Sequence, residues 1–330
     1  MTATAIGAMS GEKRSVAAVP ASDLPSRLDI SVSDRPAGVE AMWRQLESVA
    51  DATVYQRYDW VDASVATLDR GERRSAFIVT ATLNGEPAFL LPLCIGGSIV
   101  RTLRWAGGNH ANYSCGLFSP EFLNLLQPGD VSRIMDRIRT LVPGIGVIHM
   151  CCQPVDWNGM RNPMLELRRQ PAVNRAFVMD LRGGFDAFLK KRNARRKRKK
   201  FRLQEKMANA AGGYRLVMPA DETEAVAILG AFLKQKSVRL RSQGLRDVFS
   251  SGHAREFLCE LIRRSSGLDE PLLRLFALEI GGNIRAVLGG GVHRNRLSGY
   301  FSSIALDELT ESVPAKCCST SSCANAPEKA

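Results

Sequence analysis

The stretch LRLFALEIGGNIRAVLGGGVHRNRLSGYFSSI, residues 273–304, decides the fold. Leu273–Ile280 is a mostly apolar run, and Gly281-Gly282-Asn283 breaks it. Ile284–His293 resumes the run, Arg294-Asn295 breaks it again, and Leu297–Ile304 closes. Apolar runs of this length between tight turn signals read as three antiparallel strands in a meander. Upstream, helical periods mark Glu222–Leu240 and Ala254–Arg264, and Tyr214–Met218 is extended. A long helix is expected from about Phe185 to Ala210, with a strand before it at Ala176–Leu181.

The first half repeats this order of elements without self-similarity of sequence. Alternation at Leu28, Ile30 and Val32 is a strand signal, followed by helical stretches at Val39–Ala50 and Tyr58–Asp69. Ala76–Leu83 and Ala88–Ile95 flank Asn84-Gly85, a strong hairpin signal. A third strand near Ile99–Trp105, a helix with Val131, Ile134, Ile138 and Leu141 on one face, and a strand at Gly146–Met150 complete it. The expected fold is mixed α/β (α+β), with two tandem units that each place helices around a mostly antiparallel sheet. The expected boundaries are a polar tail at 1–27, a first unit at 28–170, a second at 175–312 and a tail at 313–330.

Composition limits the function classes. With 45% hydrophobic and 24% charged residues, the chain can bury a sizeable core. Its longest apolar runs, such as Ala88–Ile95, are too short to cross a bilayer, so membrane insertion is not expected. Residues 1–27 lack the apolar block of a signal peptide. The net charge of +12 is local: ten of the thirteen residues from Lys190 to Arg202 are basic and none is acidic. The remainder is nearly balanced. Eight cysteines without a CxxC pair or a histidine at ligand spacing argue against a zinc site or a disulfide scaffold. They point to a reducing, cytoplasmic setting and no metal.

Several segments resemble the GNAT-like acetyltransferases linked to bacterial cellulose and exopolysaccharide synthesis. They are Phe185-Asp-Ala-Phe-Leu-Lys-Lys-Arg192 with its basic helix, Phe232-Leu-Lys-Gln-Lys-Ser-Val-Arg-Leu-Arg-Ser-Gln-Gly244, and Val287–His293 with Leu297–Ser303. In the first half, Trp105–Tyr113 and Gln153–Pro163 belong to the same likeness. The resemblance implies a tandem GNAT fold that binds acetyl-CoA or another acyl-CoA and acylates an amine or hydroxyl. The acceptor would be a small molecule or saccharide, and the polysaccharide-synthesis machinery a possible partner. It also implies an oxyanion contact from the strand at Leu297–Ile304, where Ser302 and Ser303 lie, and a pyrophosphate loop directly after it, at Ser312 and Pro314. Lys236 and Arg239 match the family's helix and would line an acceptor groove; read alone, they are ordinary surface residues of an amphipathic helix.

In that family the loop reads Ser-Pro-Gly-Glu-Leu-Leu-Leu-His, whereas this chain reads Ser312-Val-Pro-Ala-Lys-Cys-Cys-Ser. Shifting the reading frame back by one nucleotide allows Pro-Gly-Glu-Met-Leu-Leu-His-Leu-Leu from the same codons. The expectation is that residues from about Val313 onward arise from a frameshift and that the second unit is incomplete at its C-terminus. The other reading is a divergent tail.

Individual residues suggest further roles. Gly289-Gly290-Gly291 inside a strand signals a bulge or the close approach of a ligand or backbone, which makes Gly289 and Gly290 candidate cofactor contacts. His293, Tyr300, Asp307 and Glu308 are candidate proton handlers, each with a plainer reading as a turn or core residue. Asn109, His110 and Tyr113 form a polar loop suited to acceptor binding. The basic helix, with Arg192 and Arg196, suits an anionic ligand. With Phe201 the single aromatic residue of the basic run at 190–202, it offers no stacking platform for nucleic-acid bases. The alternative to an enzyme is a non-catalytic protein that docks an anionic polymer or a synthase complex through residues 190–202.

Overall fold

The computed structural model describes residues 22–172, 176–184, 187, 190 and 194–306. It is a mixed α+β protein whose two main sheets are dominated by antiparallel pairing. In the first unit, β1 (Leu28–Ser33), β2 (Ser75–Leu83), β3 (Glu86–Gly96) and β4 (Thr102–Trp105) pair antiparallel in sequence order. The short β5 (Leu117–Phe118) joins β3, and β6 (Val147–His149) lies parallel to β4. Asn84 and Gly85 both have positive φ, 53° and 85°, and join Leu83 to Glu86. That is the two-residue turn whose twist matches flanking strands. Gly281-Gly282 and Arg294-Asn295 make the same turn in the second unit.

Side-chain alternation explains why the β2 and β3 runs are apolar throughout. Phe77, Val79, Phe89 and Leu91 face one side, against Ile134 and Ile138 of α5 (Asp130–Thr140). Ile78 and Leu90 face the other, against Trp43 and Leu46 of α2 (Glu40–Val49) and Val61 of α3 (Tyr58–Ser64). The remaining first-unit helices, α1 (Leu24–Arg27) and α4 (Pro120–Leu125), are short, and β7 (Asp156–Trp157) with β8 (Met160–Arg161) forms a separate hairpin.

The second unit is a four-stranded antiparallel sheet, β12 (Arg296–Ile304), β11 (Asn283–His293), β10 (Arg274–Ile280) and β9 (Tyr214–Val217), in that spatial order. One face receives Phe201, Met207 and Ala208 of α6 (Ala194–Ala210) on Phe276, Leu278 and Ala286. The other receives α7 (Glu222–Ser242) and α8 (Gly252–Ser265) through Ile228, Phe232, Phe257 and Leu261. Asp221 and Ser251 cap these helices by accepting the backbone N–H of Glu224 and Ala254.

This second core does not stop at the unit boundary. It continues into Val54, Tyr55, Trp60, Leu68 and Ala111 of the first unit. There α3 passes into one π turn, Val65–Asp69, and packs on α8. Polar links reinforce the seam: Arg264 reaches Asp62 at 2.9 Å, and Arg57 donates to the Glu270 carbonyl at 2.7 Å.

Three elements differ from the sequence reading. Ala176–Leu181 pairs with no strand among the described residues, and Phe177 is 89% exposed; its apolar run records strand propensity, but a ladder also needs an available edge. The strand expected from Ile99 begins at Thr102, because Gly97 at φ 106° turns the chain and leaves Ile99 in solvent. Leu141 lies beyond the end of α5 and is exposed, off the buried stripe.

Candidate functional site

The site is built on β12, which is an edge strand among the described residues. A register shift at Gly289/Gly290 leaves Tyr300 as an extra residue on β12, a bulge that re-aims the strand midway. Below the bulge, the first unit seals the edge. Asn112 donates through Nδ2 to the Gly299 carbonyl at 2.9 Å and the Tyr300 carbonyl at 3.2 Å, and the Tyr55 hydroxyl donates to Gly299 O at 3.4 Å. Above the bulge, Lys236 Nζ of α7 donates to the Ser302 carbonyl at 3.3 Å. Within an antiparallel strand the N–H and C=O of one residue point to the same edge, so the Ser302 N–H also faces outward. A backbone donor and an ammonium group thus share one exposed stretch of edge. Burial, and then the nearby Arg239 charge, depress the Lys236 pKa, although Asp247 opposes this.

The rest of α7 fixes that stretch. Gln235 donates through Nε2 to the Ile284 carbonyl at 2.8 Å and accepts the buried Ser303 hydroxyl at 2.7 Å. Phe232 stacks on Phe301 with ring centroids 3.9 Å apart. Ser302 is therefore the exposed member of the serine pair, and Ser303 a tie between sheet and helix.

The glycine run has packing reasons at each position. A Cβ on Gly289 would lie 2.4 Å from the Phe301 ring, and one on Gly290 would lie 2.6 Å from the Ser298 carbonyl in the bulge. One on Gly291 would lie 2.5 Å from Val54 of the first unit.

Tyr300 and His110 come together: the His110 Nδ1 and the Tyr300 hydroxyl are 2.5 Å apart, inside a cluster with Trp60, Phe249 and Phe257. Burial lowers the His110 pKa to about 4 and raises that of Tyr300. The pair lies in the seam between the units. His293 is buried at the far end of β11, with Nδ1 3.3 Å from Glu270 Oε2, and burial depresses its pKa. Its cross-strand partner Arg296 is six residues from Ser302, roughly 20 Å at the strand rise.

Asn109 is exposed, and Tyr113 packs its ring on Trp157 at 5.1 Å while its carbonyl accepts from Gln56. Arg239 follows Lys236 by three positions and shares its helix face. Arg196 lies in the exposed first turns of α6. Arg192, Asp307, Glu308, Ser312 and Pro314 lie outside the described residues. The sequence reading passed over Asn112 and Gln235 as individual residues, although both stand inside quoted motifs. Their signal is a side-chain amide in a stretch that otherwise packs.

Residues 192–318 match the family model described as an acetyltransferase (GNAT) domain. The matched span takes in α6 through β12 and thus the whole second sheet, and it supports acyl transfer as the class of chemistry. No curated protein matches the chain. Among solved structures, a conserved protein of unknown function from Bacteroides thetaiotaomicron VPI-5482 aligns over 91% of this chain and 88% of its own. The identity is 9% and the TM-score 0.43. No helix among the described residues is long and apolar enough to cross a membrane.

Proposed function

We propose that the chain is an acyl-CoA-dependent acyltransferase whose thioester lies along β12 at Ser302, with acetyl-CoA as the simplest donor. The observation that carries this is the outward Ser302 backbone beside Lys236, on the half of the edge that the first unit leaves open. As an amine or hydroxyl attacks the thioester carbon, charge develops on the carbonyl oxygen. The Ser302 N–H and the Lys236 ammonium are donors suited to stabilise it. The tetrahedral centre then collapses, expelling the CoA thiolate and forming an amide or ester. Asp307 and Glu308, which follow β12 in the chain, are the candidates to take the acceptor's proton, directly or through water. Asn109 and Arg239 are candidates for binding the acceptor, a sugar or small precursor used in extracellular polysaccharide production. The test is acetyl-CoA-dependent acylation of a panel of amino sugars and polyols, read by free thiol release. Release that needs both acetyl-CoA and an acceptor supports the reading, and its absence across the panel counts against it.

The pyrophosphate would sit after β12, near Ser312 and Pro314; such a site needs free backbone N–H groups and a glycine for close approach, and that glycine is present only in the shifted reading frame. The frameshift reading belongs to this proposal. Re-reading the DNA across codons 305–330 in all frames tests it: Pro-Gly-Glu followed by an apolar helix supports it, and no continuing frame removes it.

A second reading has its own observation: positions 195–200 of α6, Arg-Arg-Lys-Arg-Lys-Lys, are all exposed. Like charges at helical spacing repel, so an anionic polymer or synthase surface suits them. Under this reading acetyl-CoA leaves thermal stability unchanged. A polyanion such as heparin instead binds with strong salt dependence, lost when Arg195, Arg196, Lys199 and Lys200 become Ala.

A further inference from the structure

Acyl transfer leaves one reactive group of the first unit unused. Cys151 and Cys152 follow β6 after Met150, and both are free and exposed. Their backbone is held in an unusual turn. Cys152 has φ 58°, in the left-handed region that few non-glycine residues adopt, and its carbonyl accepts the Ser114 N–H at 3.0 Å. Two basic side chains stand just before the pair, since Arg104 and His149 are cross-strand partners in β4 and β6. Arg104 Nε has no hydrogen-bond partner among the described residues.

The two thiols are unequal. The hydrogen bond from Cys152, followed by the His149 and Arg104 charges, brings the Cys151 pKa down to about 6 against the cost of partial burial. Cys152 is shifted the opposite way by the same hydrogen bond and by burial. Cys94 and Cys115, by contrast, are buried and have raised pKa values. An accessible thiolate beside a second thiol is the arrangement that thiol redox sites use.

We propose that Cys151 and Cys152 form a hydroperoxide-reactive dithiol, with Cys151 the attacking sulfur and Cys152 the resolving one. The Cys151 thiolate attacks the distal peroxide oxygen, and the O–O bond breaks. Sulfur is oxidised to the sulfenic acid as the peroxide is reduced to the alkoxide or hydroxide, which takes up a proton. The Cys152 thiol then displaces the sulfenic hydroxyl, leaving as water with the thiol proton, and a Cys151–Cys152 disulfide forms. A dithiol reductant reverses it by exchange. Because the Cys152 carbonyl holds Ser114, the change falls on the loop that also carries His110, the partner of the Tyr300 hydroxyl, and Asn112, which seals the β12 edge.

The test uses the full chain and hydrogen peroxide. The tryptic peptide Thr140–Arg161 contains both cysteines and no other, so its mass reports this pair alone, independent of Cys317 and Cys318. The expected product is a peptide lighter by two hydrogens and restored by dithiothreitol. Cys152→Ser should stop at a Cys151 sulfenic acid that dimedone traps. Cys151→Ser should leave Cys152 unoxidised at that dose, with a rate at least about tenfold lower. Both substitutions are on an exposed loop, and circular dichroism checks that the variants fold. The proposal fails if the wild-type peptide stays fully alkylatable at a dose that oxidises free cysteine. It also fails if the two variants oxidise at equal rates, or if the disulfide is intermolecular on a non-reducing gel.

Discussion

At the residue scale, the hydrogen-bonded pair His110–Tyr300 separates a structural role from a catalytic one. Tyr300 lies wholly inside the seam, and its hydroxyl is committed to His110 Nδ1. Tyr300→Phe should cost about 1–3 kcal/mol by leaving a buried nitrogen unpaired, while lowering acylation less than about tenfold. A loss of 10²-fold or more, the range of a proton-transfer group, would restore Tyr300 to the chemistry. The depressed His110 pKa also sets a pH dependence. The unfolded chain takes up a proton near pH 6.5 and the folded chain only near 4. Stability is therefore full above about 6.5, falls as pH drops through that window by up to about 3 kcal/mol, and levels off below 4. Urea titrations from pH 7.5 to 4 should show this slope, and His110→Phe should flatten it. Lys236→Ala should lower acyl transfer by roughly 10²-fold, as the loss of one oxyanion donor does. Lys236→Arg should recover part of the rate, which a role in packing alone would not predict.

At the element scale, β11 and β12 illustrate what a sequence reveals. The meander was legible because its strands are apolar runs separated by two-residue turns, and the Asn84-Gly85 hairpin for the same reason. Gly289, Gly290 and Gly291 were legible as special but not as to cause. Their neighbours Phe301, Ser298 and Val54 come from another strand and from the other unit, and no local pattern records that. The same limit hid the Asn112 clamp on Gly299 and the Gln235 bridge, which exist only after both elements are placed. Ala176–Leu181 failed in the opposite direction: its apolar run is in the sequence, but no partner strand is among those described. Gly291→Ala should destabilise by about 1–3 kcal/mol, because its Cβ would overpack Val54 and the Leu272 carbonyl. Gly299→Ala, with nothing within 4 Å of its Cβ, should cost well under 1 kcal/mol. Equal costs measured by chemical denaturation would sink the packing account of the run.

At the scale of the whole molecule, the two units share one apolar core, so they should not unfold separately. Trp60 of α3 packs edge-on to Phe257 of α8 at 5.5 Å and to Tyr300 of β12 at 5.4 Å. Trp60→Ala should cost about 3–5 kcal/mol and move a single calorimetric transition, whereas two resolved transitions would contradict a shared core. The tandem order of elements was legible from periodicity. Their fusion was not, because no local pattern in the sequence records that Val54, Tyr55 and Trp60 pack with residues of the other half. Fusion places Asn112 and Tyr55 of the first unit on the lower half of the β12 edge, and the proposed reading puts the acyl donor on the upper half. Amide hydrogen exchange along β12, with and without acetyl-CoA, tests that claim most directly, on the chain ending as the re-read DNA dictates. The account predicts that acetyl-CoA slows exchange at Ser302 and leaves Gly299, already covered, unchanged. If saturating acetyl-CoA protects no amide of β12, the acyl group does not bind there.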